Sequence, residues 1–232
     1  MIIMYKKNSH FLLPLSWLNS LMRLLVLGLF FFSSLVLAEA FEEGEHYKLV
    51  PKPDQSSPLG QKIEVAEFFW YGCPHCFKLE PRIHKWSQNL ADDVVFTQTP
   101  ALFGKLWILH GAVYYTGKAL GLGEDFHQAL FDEIQVKKNR LETEEKVLAF
   151  FQRFGKTPQQ VSSTMNSIVV RQQLDKANQR AKSYGLQGVP TTVIDGRYET
   201  SPAITGDFSV YFRVMNYLIE KVRNERKLTK AS

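Results

Sequence analysis

Hydrophobic and polar positions change period along the chain. Lys62-Ile63-Glu64-Val65-Ala66-Glu67-Phe68-Phe69-Trp70 is a dense run of β-branched and aromatic residues, the composition of a buried strand. Gly72 breaks the run. Phe77, Leu79, Ile83 and Trp86 then recur near helical spacing, which predicts a helix opening around Pro74. Val94 to Thr99 alternates again as a strand, limited by Pro100. Four helices are predicted next, over Leu106 to Tyr115, Glu124 to Lys137, Glu144 to Phe154 and Val161 to Tyr184, with joints at Gly123 and Gly155. Thr157-Pro158-Gln159-Gln160 fits a capping box with proline at the first helical position. Thr191 to Glu199 reads as a hairpin turning at Asp195-Gly196. Phe208 to Arg226 reads as a closing amphipathic helix whose basic end, Lys221 to Lys230, is expected to be a solvated tail. At the front, Phe41 to Val50 predicts a leading segment and first strand, and Pro51 to Gly60, with its prolines, a loop.

Residues 1–40 follow a different logic. Lys6, Lys7 and Arg23 supply positive charge, Leu24 to Leu37 is apolar, and Ala38-Glu39-Ala40 has the form of a small-residue cleavage site. The apolar run falls short of the roughly 20 residues that a membrane span needs. A signal peptide cleaved after Ala40 is therefore expected, with Met1 or Met22 as the start; an uncleaved anchor is the alternative, because Phe11 to Leu21 is also fairly apolar. Export would place the protein where disulfides persist.

The net charge of +5 is mild, and no compact basic stripe with interleaved aromatics occurs, so nucleic acid is not an expected partner. The chain has two cysteines, Cys73 and Cys76. Such a pair can close a small disulfide ring, supply half a metal site, or do neither. Zinc needs four ligands; His75, His84, His110 and His127 lack the expected spacing, so no metal is expected. Two inert core cysteines remain an option, but the surroundings favour a redox dithiol. Cys73 falls at the predicted helix start, where unpaired N–H groups and the positive end of the macrodipole stabilise a thiolate. Pro74 suits that first turn. His75 can donate a hydrogen bond to the Cys73 sulfur or carry charge beside it, unless it simply faces solvent. Glu67 is a carboxylate in an otherwise apolar strand, read as buried beside the thiols rather than on a solvated edge.

Glu67-Phe68-Phe69, Cys73-Pro74-His75-Cys76 and Gly188-Val189-Pro190 together resemble the DsbA family of secreted bacterial thiol:disulfide oxidoreductases, over roughly Phe41 to the C-terminus. The resemblance implies an α/β, thioredoxin-like fold, a central mixed sheet flanked by helices, with an inserted helical domain. Residues 41–104 and 186–232 would form the thioredoxin-like part and 105–185 the insertion. It further implies catalysis by Cys73 and Cys76 with Pro74 and His75 between them, and no cofactor beyond the redox-active Cys73–Cys76 disulfide. Val189 and Pro190 would form a cis-proline loop that binds substrate, and Glu67 would be the proton-transfer candidate. A periplasmic location, substrates that are unfolded exported proteins with free thiols, and a DsbB-like membrane quinone reductase as reoxidant are implied too. A monomer is expected, since the chain has no spare segment for dimerisation. The alternatives are a disulfide isomerase or reductase, or a peptide-binding chaperone, of the same fold. One position departs from the family: where many members carry a lysine facing the buried glutamate, this chain offers Gln98.

Overall fold

The computed structural model describes residues 41–53 and 62–231. The signal-peptide expectation for residues 1–40, and most of the proline-rich loop, lie outside the described residues. Strand β1 (Lys48–Leu49) is followed by β2 (Ile63–Phe69), α1 (Pro74–Ser87) and β3 (Val94–Pro100). Five consecutive helices come next: α2 (Lys105–Ala119), α3 (Glu124–Gln135), α4 (Glu144–Gln152), α5 (Pro158–Met165) and α6 (Ile168–Ser183). The chain returns through β4 (Thr191–Ile194) and β5 (Tyr198–Thr200) to α7 (Pro202–Thr205) and α8 (Phe208–Ala231). Strands order as β1-β5-β4-β2-β3. β2 and β3 run parallel while the other neighbours are antiparallel, so the sheet is mixed, as expected.

β2 is buried at all seven positions. Both faces of the sheet are covered, which is why this strand reads as a continuous apolar run rather than an alternation. On one face Val65 packs with Leu79 and Ile83 of α1 and Val214 and Leu218 of α8. On the other, Ala66 and Phe68 meet Ala181, Tyr184 and Leu186. The end of β2 contributes to a third cluster in which Phe69, Tyr71 and Cys76 share a core with Val113, Leu130 and Phe131 of the helical insertion. The dithiol therefore sits where the sheet meets the inserted helices.

Local signals hold where they are strong. Asp195 and Gly196 take φ of 54° and 64°, and Arg197 N–H bonds to Ile194 O at 3.0 Å, closing the hairpin. Both halves of the Thr157–Gln160 capping box are present. Three expectations need correction. Val161 to Tyr184 is two helices, not one, because Ser167 starts a new helix by accepting from Val170 N–H. The leading strand shrinks to Lys48–Leu49 and an isolated Glu43–Tyr47 bridge around Gly44, whose φ is 89°. The basic end of α8 is not wholly a free tail: Arg223 donates to Asp93 at 2.6 Å and Arg226 to Asp195 at 2.5 Å.

Candidate active site

β2 ends at Phe69, and Cys73 caps α1 with extended backbone (φ −90°, ψ 116°). The Cys73 side chain makes no capping bond, and Pro74 occupies the first turn. The sulfur instead faces Val189, with Sγ 3.5 Å from the Val189 carbonyl oxygen. Cys73 keeps 8% of its surface exposed and Cys76 none. The Cys73 thiol is lowered to about 6, first by the hydrogen bond from the Cys76 thiol and then by the backbone N–H groups of Cys76 and His75, against the opposing effect of burial. The His75 imidazole is exposed and its charge is the smallest of these contributions. Burial pushes the Cys76 thiol well above its usual range, and donation to Cys73 adds to this. One sulfur is thus a nucleophile at neutral pH and the other a protonated, sheltered thiol.

The loop that delivers Cys73 is held by aromatic packing. Trp70 stacks on Trp107 with centroids 4.0 Å apart and donates to His110 Nδ1 at 3.1 Å. Its ring lies over Gly72, where a Cβ would meet Trp70 Cζ2 at 2.3 Å. Gly72→Ala is expected to cost about 1–3 kcal/mol by overpacking, with loss of the Trp70–Trp107 near-UV signal; an unchanged melting curve would show that the indole moves aside freely.

Beneath the thiols lies a buried polar chain. Glu67 is fully buried, as expected, and pairs in register with Gln98 on β3. Gln98 Nε2 donates to Glu67 Oε2 at 3.0 Å and to both oxygens of Glu80, at 3.2 and 3.0 Å. Burial, then the neighbouring Glu80 carboxylate, raise the Glu67 pKa well above the usual range, which the Gln98 bond only partly offsets. Glu80 Oε1 lies 3.3 Å from His127 Nε2, and His127 Nδ1 lies 2.6 Å from the Tyr71 hydroxyl. Sequence reasoning found Glu67 and Gln98 but missed Glu80, His127 and Tyr71. A signal for Glu80 existed: with Cys76, Leu79 and Ile83 it completes the buried stripe of α1.

Val189–Pro190 is a cis peptide bond. It borders a groove of about 610 Å³ lined by His75, Val189, Pro190, Thr191, Ile204 and Phe208 among others. The structure thus brings Cys73, Cys76, His75, Val189 and Pro190 together, with Pro74 on the exposed first turn and Glu67 below. An activated cysteine at a helix start, a sheltered partner one turn on, and a proline loop against the sulfur, all on a thioredoxin-like sheet, define a protein thiol:disulfide oxidoreductase.

Comparison with known proteins agrees. A family model of the DSBA-like thioredoxin domain matches residues 108–213. The thiol:disulfide interchange protein DsbA of Pseudomonas aeruginosa is 38% identical over 190 residues, spanning 82% of this chain and 90% of that protein. That of Azotobacter vinelandii is 39% identical over 169 residues, spanning 72% and 79%. The crystal structure of Pseudomonas aeruginosa DsbA superposes with a TM-score of 0.76 at 37% identity, covering 81% of this chain and 97% of that one. DsbA from Xylella fastidiosa gives 0.73 at 30% identity, covering 79% and 98%. The chain belongs to the DsbA family of thiol:disulfide interchange proteins.

Proposed function

We propose that this oxidoreductase works as a disulfide donor to exported proteins, through Cys73 as the attacked sulfur and Cys76 as its partner. A substrate thiolate attacks Cys73 of the disulfide, Cys76 leaves and takes up a proton, and a mixed disulfide forms. A second substrate thiolate then attacks its own sulfur in that mixed disulfide. Cys73 departs as a thiolate, the substrate gains a disulfide, and two electrons rest on the dithiol. The observation that carries this reading is geometric: Cys73 caps α1 and its sulfur faces the cis-proline loop at Val189, next to a fully buried Cys76, an arrangement in which the Cys73 thiol is lowered to about 6. A stabilised leaving thiolate favours release of oxidised substrate. No cofactor is needed beyond the cysteine pair itself.

The groove beside Val189 and Pro190 supports binding of an extended substrate segment by its backbone, which tolerates many sequences. Pro74 and His75 tune the pair. Glu67 is the proton-transfer candidate, since its carboxyl acts electrostatically on Cys76. Gln98 orients that carboxyl but carries no charge. Residues 41–104 and 186–232 are assigned to the thioredoxin-like domain and 105–185 to the insertion. The leader pattern of residues 1–40 supports export to the periplasm, and among the described residues no helix is long and apolar enough to cross a membrane. A DsbB-like quinone reductase would reoxidise the monomeric dithiol.

Equilibration of the purified protein with glutathione redox buffers tests the proposal. A Cys73–Cys76 potential clearly above the roughly −220 to −260 mV of a glutathione-poised cytosol is expected. A potential near thioredoxin's roughly −270 mV would instead identify a reductase. Cys73→Ser is expected to abolish oxidation of a reduced substrate protein.

A further inference from the structure

We propose that Glu80 of α1, with Glu124 and His127 of α3, forms a zinc-type metal site that joins the active-site helix to the helical insertion, with His84 of α1 holding Glu124 from outside the ligand set. The pairs are spaced i,i+4 and i,i+3, so each helix presents one carboxylate and one imidazole on a single face. The two faces meet: the ligand atoms of Glu80, Glu124 and His127 lie within 4.8 Å of one another. His84 Nδ1 is 3.4 Å from Glu124 Oε1, and His127 Nε2 is 3.3 Å from Glu80 Oε1. Two ligands each about 2.0–2.1 Å from a tetrahedral zinc stand about 3.3–3.4 Å apart, so Glu80 and His127 already have ligand spacing. The order of the histidines along the chain shows no zinc motif; the packing of α1 against α3 supplies the proximity that the sequence order lacks.

A second observation points to a ligand. His127 is 5% exposed, and its Nε2 is buried with no hydrogen-bond partner although it aims at the two carboxylates. The surrounding groups hold these side chains as outer-shell partners hold metal ligands. Tyr71 fixes His127 through Nδ1, Gln98 holds both oxygens of Glu80, and the Gln88 amide lies 2.8 Å from His84 Nε2. Glu67 and Glu80 together place two buried carboxylates around one neutral amide, and among the described residues neither is bonded to a lysine or arginine. A divalent cation beside Glu80 would meet a carboxylate for which no lysine or arginine competes among the described residues. Exposed Glu124 leaves the site open to solvent on one side, giving an entry path. One imidazole and two carboxylates, with no thiolate and a fourth position open to water, suit Zn²⁺.

Calorimetric titration of zinc chloride into tag-free protein carrying the Cys73–Cys76 disulfide tests this, because no free thiol then competes. One zinc per chain is expected, together with a zinc-dependent rise in melting temperature. Glu124→Gln and His84→Ala, both partly exposed and outside the redox machinery, are each expected to weaken binding by more than about 10-fold, since removing even an outer-shell partner commonly costs 10–100-fold. The double variant is expected to lose the thermal shift while retaining the zinc-free circular dichroism and oxidase activity. Absence of binding to the oxidised protein overturns the site and leaves the contacts as ion pairs only. Binding undiminished in the double variant overturns it as well, by locating the zinc elsewhere, for example at half-buried His46 or exposed His75.

Discussion

Replacing Phe131 with alanine is expected to destabilise the protein by about 3–5 kcal/mol, the range for deleting a buried aromatic ring. Phe131 is fully buried in the core shared by the dithiol and the insertion. Its ring lies 5.8 Å from Phe69, 4.7 Å from Tyr71, 6.2 Å from Phe77 and 5.2 Å from His127, centroid to centroid. It therefore touches the end of β2, the loop before Cys73 and the first turn of α1 at once. Few neighbours can collapse into the space, because Phe69 and Tyr71 are themselves fixed by the sheet and by the bond to His127. For a chain of this size each kcal/mol shifts the melting temperature by about 2–4 °C, so a fall of roughly 6–20 °C is expected. Val136→Ala, at a position 62% exposed, should stay within about 0.5 kcal/mol. Urea unfolding of both variants with unchanged m-values checks the comparison. A Phe131 variant as stable as the parent would mean that the insertion and the dithiol do not share one core.

What the sequence made legible were features decided within a few residues of themselves. The dithiol follows a strand and opens a helix because Gly72 and Pro74 enforce that change locally, and the Asp195-Gly196 turn and the Thr157 capping box are similarly self-contained. Glu67 could be suspected because a charge within β2 contradicts its surroundings. Glu80 was less visible, since a glutamate on a helix is ordinary until the phase of the buried stripe is worked out. His127 was invisible as a site residue: only the packing of α3 on α1 brings it to Glu80. The break at Ser167 escaped because apolar positions continue at near-helical spacing across it, and only the side-chain cap reveals the new start. The docking of Arg223 and Arg226 likewise depends on Asp93 and Asp195, partners far away in sequence that periodicity cannot find.

The chemistry itself rests on a short-range asymmetry, and Cys76→Ala should expose it. In the reduced protein the rate of Cys73 alkylation is expected to titrate with a midpoint at about 6, against an ordinary thiol value of 9.0. The largest cause is the hydrogen bond from Cys76, ahead of the backbone N–H groups. Removing that donor with alanine is therefore expected to raise the midpoint clearly, whereas serine, whose hydroxyl can still donate, should raise it less. The sign of the linkage follows. A thiol whose folded value is depressed binds fewer protons in the native state between the two values, so the reduced form gains stability as pH rises. That gain is complete above the ordinary thiol value and is lost as pH falls through about 6. At pH 7 it amounts to about 1.4 kcal/mol, one pKa unit's worth, or about 30 mV in a two-electron couple, on the oxidising side. The disulfide form has no Cys73 thiol to titrate, so the stability difference between reduced and oxidised protein isolates the effect. That difference should move toward the oxidised form between pH 7 and pH 5, and by less in Cys76→Ser. An alkylation midpoint in the ordinary thiol range, or one that Cys76→Ala leaves in place, would remove the thiolate as the source of oxidising power and shift the burden to strain or solvation in the disulfide form.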